Sequence, residues 1–206
     1  MAKTLIKGGT IISMDRRTGD FAKGDVLIDG DKIVKIGKSL RSPVAKIIDA
    51  KNMIVMPGFV NAHLHTWQTG IRGVAGNWSI PEYLNEMHAR IAPRYTAHDT
   101  YLANLVGALN QISLGATTVF DWCHNNATPA HSNGGVRGLK ESGIRAVFGH
   151  GSPKPDAKKG ALPFTHIPHP RSELERLRKS ELSDDDGLVT LAMAALGVDF
   201  STWEVT

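Results

Sequence analysis

The chain has 206 residues, 41% of them hydrophobic and 21% charged, and a formal net charge of +4, which fits an ordinary soluble globular protein. Its lysines and arginines are scattered, with no basic stripe interleaved with aromatics, so the charge marks a solvated surface and no nucleic-acid partner is expected. The apolar run from Leu188 to Val198 is too short to span a bilayer, the start of the chain lacks the apolar core of a secretory signal, and a lone cysteine, Cys123, excludes an internal disulfide framework, which together predict a cytoplasmic protein without a membrane partner.

The first 56 residues read as short strands. Thr4 to Ile6 and Thr10 to Ser13 are β-prone and separated by Gly8-Gly9. Val26 to Ile28 and Ile33 to Ile36 flank Asp29-Gly30-Asp31, a hairpin signal because glycine takes positive φ at little cost. Lys46 to Asp49 and Met53 to Met56 follow. Residues 1–56 are thus expected to form a small β-sandwich layer, the N-terminal part of a β-sandwich domain, with no room for a helix.

After Pro57 the pattern alternates between strand and helix. Ser79-Ile80-Pro81-Glu82 has the form of a capping box and opens a helix to about Ile91. Thr96-Ala97-His98-Asp99 repeats the signal and opens a longer helix, with Leu102, Leu105, Val106, Leu109 and Ile112 as its apolar stripe and Gly115 as its stop. Thr117 to Trp122 and Ile144 to Phe148 read as strands, with a glycine-interrupted helix from about Ala130 to Ser142 between them. Ser172 to Leu182 is a charged amphipathic helix and Leu188 to Leu196 a buried strand. Such alternation implies an α/β fold with parallel strands and right-handed crossovers. The stretch from Gly149 to Arg171, rich in proline, histidine and lysine, has no clear period and the length of a functional loop. About 150 residues follow residue 56, whereas a complete eight-stranded barrel takes about 250.

Val55 to His65 carries the strongest chemical signal. An apolar run crosses Pro57-Gly58, resumes as a strand and ends in His63-Leu64-His65. Side chains alternate faces along a strand, so the two histidines point the same way with Cα atoms roughly 6.5 Å apart. Two neutral imidazoles placed so can share a metal ion; the bland alternative is two partly buried polar residues at a strand edge. Parallel α/β folds bind ligands at the carboxyl ends of their strands. Asp121 to Asn126 and Gly149 to Ser152 end the next two strands on the same rim.

Met56-Pro57-Gly58-Phe59-Val60-Asn61-Ala62-His63-Leu64-His65 resembles the first-strand signature of the amidohydrolase superfamily. The β-rich start, Thr66-Trp67-Gln68-Thr69-Gly70-Ile71-Arg72-Gly73 and Gly115-Ala116-Thr117-Thr118-Val119 narrow the resemblance to its cytosine deaminase, guanine deaminase and s-triazine hydrolase branch. The resemblance implies the first half of a (β/α)8 TIM-like barrel, with residues 57–206 as its first four βα units. It implies one divalent metal ion, zinc or alternatively iron, held in part by His63 and His65, and hydrolysis of a non-peptide carbon–nitrogen bond of a small nitrogen heterocycle by metal-activated water. The remaining ligands that the family takes from later strands have no counterpart in this sequence. The implied partners are therefore a heterocyclic substrate and the missing C-terminal half of the barrel or a second polypeptide; a homo-oligomer is compatible with this. The fourth strand holds no lysine, which favours a single metal over a bridged pair.

The other candidates keep two roles each. Gln68 either hydrogen-bonds the heterocycle or is a loop residue. Trp67 walls the pocket or packs. His124 lines the rim or satisfies the backbone, and His150 stands evenly between the same roles. Cys123 reads as a buried inert thiol, His166 and His169 as solvated, and Asp184-Asp185-Asp186 as an exposed charged turn.

Overall fold

The computed structural model describes residues 3–152, 154 and 159–205. Two compact units make up the chain, Met1–Gly58 and Phe59–Thr206.

The first unit is one five-stranded mixed sheet. Strands β1 (Lys3–Ile11), β2 (Phe21–Asp29) and β3 (Lys32–Gly37) are joined antiparallel, while β4 (Lys46–Asp49) and β5 (Ile54–Val55) lie parallel to β1. Gly30, with φ of 61°, turns the β2–β3 hairpin at the expected place. The Gly8-Gly9 step does not split two strands, as the sequence suggested. β1 runs through it with a register shift, and a Cβ on Gly9 would lie 2.7 Å from the Val55 side chain, so the absent side chain admits β5. Leu5, Ile11, Val26, Leu40 and Ala50 are buried, and the Asp25 carboxylate accepts the backbone N–H groups of Gly8 and Leu40, both at 2.8 Å. Among the described residues this unit holds a single sheet.

The second unit carries a four-stranded sheet in the order β6 (Phe59–Leu64), β7 (Ala116–Cys123), β8 (Arg145–Gly151), β9 (Val189–Ala194), every pair parallel. Between β6 and β7 come a 3-10 turn, Thr66–Ile71, helix α1 (Ile80–Tyr83) continuing as a π-helical stretch Leu84–Ile91, and helix α2 (Ala97–Ser113). Helices α3 (Pro129–Ser142) and α4 (Arg171–Lys179) form the next two crossovers. Both capping boxes form: Ser79 with Glu82, and Thr96 with Asp99. The described residues hold three strand–helix pairs and a fourth strand, since turns, not a helix, follow β9. No helix among them is long and apolar enough to cross a membrane.

Trp67, Val119, Leu139, Ile144, Phe148 and Leu177 centre the hydrophobic core between sheet and helices. Helix α2 meets this core differently from the expectation. Leu102, Val106, Leu109 and Ile112 are exposed, and the buried face is Thr100, Ala103, Asn104, Gly107 and Ala108. The small face wins because its neighbours come too close for larger residues. A Cβ on Gly107 would lie 2.5 Å from Thr69 Oγ1, and Gly138 of α3 would meet the Tyr101 carbonyl at 2.6 Å. The Gly149–Arg171 stretch is partly ordered structure: β8 extends to Gly151 and Phe164–His166 form a 3-10 turn, while residues 153 and 155–158 of that expected loop lie outside the described ones.

Candidate metal centre

Asn61 starts the site. Its side-chain oxygen accepts the His63 N–H at 3.2 Å and its amide donates to Gln111 Oε1 at 2.9 Å. The β6–β7 register shifts between Asn61 and Leu64, so the strand leaves its ladder where the histidines begin. Leu64 turns towards the core. His63 and His65 turn the other way, their Nε2 atoms 3.3 Å apart.

The His65 Nδ1–H donates to the Trp122 carbonyl at 2.8 Å, because a carbonyl can only accept. That bond fixes the tautomer and leaves the Nε2 lone pair towards His63, the arrangement of a histidine prepared for a metal. Burial, chiefly, holds the His65 pKa below the usual histidine value, keeping the ring neutral. The donor set therefore fits a divalent ion of zinc type, with two imidazole nitrogens converging at a strand end. The described residues contain no group of three or more histidine, cysteine or carboxylate side chains able to hold a metal.

Behind His65 stands a stack that the sequence only partly revealed. The His124 ring lies on the His65 ring, centroids 4.3 Å apart and 22° between planes. The Trp67 indole N–H donates to His124 Nδ1 at 2.9 Å, and the His88 ring meets His124 edge-on at 4.3 Å. Burial pushes His124 well below the ordinary histidine pKa and His88 down to about 3, so all three rings behind and including His65 are neutral. His88 was missed because a lone histidine in an amphipathic helix carries no motif. Its one local signal was the Ser79 capping box upstream, which opens the helical segment that carries it.

A cavity of about 320 Å³ opens beside the pair, lined among others by His63, His65, Gln68, Arg72, Ala75 and Met87. A larger hollow of about 490 Å³, lined by Ile71, Ile91, Tyr95, Leu102 and Val106, brings no histidine. Of the candidate substrate contacts, Gln68 borders the histidine-lined cavity and donates its amide to the Tyr83 hydroxyl at 2.6 Å. Trp67 and His150 are fully buried and His124 nearly so, and none of the three lines it.

His150 faces the helices instead, its Nδ1 3.1 Å from His169 Nε2, so His169 is not the solvated residue the sequence suggested. His166 is exposed, as are Asp184, Asp185 and Asp186. Cys123 is buried, as expected, and burial raises its thiol pKa. Asp121 is fully buried, and burial pushes its pKa up to about 6 against the hydrogen bonds that lower it.

No family model matches the chain. The 5'-deoxyadenosine deaminase of Methanosarcina mazei is 34% identical over 151 residues, 73% of this chain and 34% of that protein. The 5-methylthioadenosine/S-adenosylhomocysteine deaminase of Caldicellulosiruptor saccharolyticus is 34% identical over 153 residues, 71% of this chain and 34% of that protein. Among solved structures, the zinc complex of atrazine chlorohydrolase from Arthrobacter aurescens superposes with a TM-score of 0.81 at 22% identity, covering 98% of this chain and 48% of that one. The chain spans about a third of the length of the curated relatives it matches. These relatives and the parallel sheet define the class of a hydrolase scaffold. The chain belongs to the amidohydrolase superfamily, with deaminases as its curated relatives.

Proposed function

We propose that this chain supplies the metal-binding first strands of a (β/α)8 hydrolase that releases ammonia from an amino-substituted purine nucleoside. The observation that carries the proposal is the His63–His65 pair, with converging Nε2 atoms and a His65 Nδ1–H locked on the Trp122 carbonyl beside an open cavity. The named substrates of the relatives, 5'-deoxyadenosine and 5-methylthioadenosine, give the substrate class. A divalent ion, zinc with iron as the alternative, supplies the Lewis acidity that activates water for hydrolysis at a ring carbon. His63 and His65 hold the ion, and burial keeps His65 neutral so that its lone pair stays available. Gln68 donates its amide to Tyr83, which aims the side chain along the cavity wall, where its carbonyl oxygen accepts an N–H of the heterocycle. The further donors and the proton shuttle come from residues beyond those described here, either in a longer polypeptide or in a second one.

Native mass measurement of the purified protein, with a search for a second polypeptide, is combined with elemental analysis and an ammonia-release assay. The substrates offered are 5'-deoxyadenosine, 5-methylthioadenosine and an s-triazine. The proposal expects about one zinc or iron per active assembly and ammonia from the adenine nucleosides. Turnover of the triazine alone overturns the substrate class, and metal content that survives His63→Ala with His65→Ala overturns the site.

A further inference from the structure

We infer that Asp121 is a positioning residue for the metal ligand His65, holding the peptide that follows it, an inference that rests on the metal-centre proposal above. The β6–β7 ladder is irregular across Asn61 to Leu64 and its last pairing is Leu64 with Asp121. Beyond that point sheet pairing no longer fixes the chain. The Asp121 side chain continues the ladder: Oδ1 accepts the Thr66 N–H at 3.0 Å, one residue past His65. The adjacent carbonyl, on Trp122, takes the His65 ring N–H. Two consecutive residues of β7 thus fix the backbone and the ring of one histidine.

Asp121 is fully buried and forms no ion pair among the described residues. A carboxyl group in that position is costly unless each oxygen is bonded. The second oxygen, Oδ2, accepts from Asn104 Nδ2 at 2.9 Å, which ties the clamp to α2. Gly107, one turn on, lets α2 close upon Thr66 and Thr69. A core position on the helix side of β7 would ordinarily be apolar, as Val119 is two residues before. What the carboxylate does there is bind the peptide that carries His65.

The test reads His65 directly, by ring 15N signals on the metal-free full chain, together with zinc affinity by chelator competition. The unsubstituted protein is expected to show the single Nδ1–H tautomer. Asp121→Ala is expected to mix the tautomers and weaken zinc binding about 10- to 100-fold. Asp121→Asn keeps an oxygen for the Thr66 N–H, and its amide can donate to Asn104 Oδ1, which has no partner among the described residues. That variant is expected to retain the tautomer and zinc affinity within about threefold. Val136→Ala serves as a core control, destabilised without touching the clamp, and is expected to leave the His65 signals unchanged. Should Asp121→Ala not fold, Asn104→Ala, which frees one carboxylate oxygen, is expected to give a smaller shift in the same direction. A wild-type His65 pattern in a folded Asp121→Ala or Asn104→Ala protein overturns the inference, as does an equal disturbance in Val136→Ala. Because the ring pattern is read without metal, it decides the positioning role whether or not the metal proposal stands.

Discussion

Among the described residues of the second unit, two pairs of imidazoles bring ring nitrogens within 3.3 Å of each other, and they differ in everything except that distance. His63 and His65 bring nitrogens within 3.3 Å, and His150 and His169 within 3.1 Å. The first pair comes from one strand end and borders a cavity. Its inner ring is already bonded at Nδ1, so the facing nitrogen is the one left over for a ligand. The second pair joins strand β8 to the segment before α4 and does not line the cavity that the first pair borders. His150 Nε2 is buried and has no partner among the described residues. Near contact of two histidines therefore says little by itself. What makes a metal site is a free lone pair on the open side and a fixed proton on the closed side.

The contrast can be broken most directly through metal content. His63→Ala with His65→Ala is expected to lower zinc affinity of the complete enzyme more than about 100-fold, whereas His169→Asn leaves it unchanged. Elemental analysis after dialysis separates the two, and an equal loss in both erases the distinction.

The buried pair is expected to report through acid stability. Burial holds His150 down to about 4, below the unfolded value of about 6.5, so below pH 6.5 the unfolded chain takes up a proton that the folded chain refuses. Stability from this group is complete above pH 6.5 and falls by about 3 kcal/mol as the pH drops to 4. Urea midpoints across that range measure it, and His150→Leu is expected to flatten the slope. An unchanged slope in that variant places the acid sensitivity elsewhere.

A smaller effect tests the scaffold under the open pair. Gly107→Ala drives a Cβ into Thr69 and Thr66 and is expected to cost about 1–3 kcal/mol, while Leu109→Lys on the exposed face of the same helix stays within about 0.5 kcal/mol. Thermal melts of both variants decide this. The smallest change concerns Gln68: Gln68→Ala is expected to raise KM for the nucleoside about fivefold, the worth of one neutral hydrogen bond, with little change in kcat. A fall in kcat at constant KM removes Gln68 from substrate binding.

The helices show how far local pattern reaches. Both capping boxes were legible because the bonds that close them lie within four residues. The inward face of α2 was not. Five aliphatic residues at helical spacing marked one face, yet Ala103, Gly107 and Ala108 face inward, since the distance between α2 and its neighbours, not hydrophobicity, chose the residues. His169 was misjudged for a similar reason. Proline-rich surroundings suggested solvent, and only the return of the chain onto β8 gave it a partner.

His63 and His65 sharing a face, and the parallel order of the sheet, were determined by the sequence alone, because strand alternation and strand–helix rhythm are local properties of the chain. The tertiary structure decided which proton His65 keeps, what stacks behind it, and that Asp121 grips the next peptide. Those contacts join residues 55 to 59 positions apart in the chain, between strands whose register no local pattern specifies.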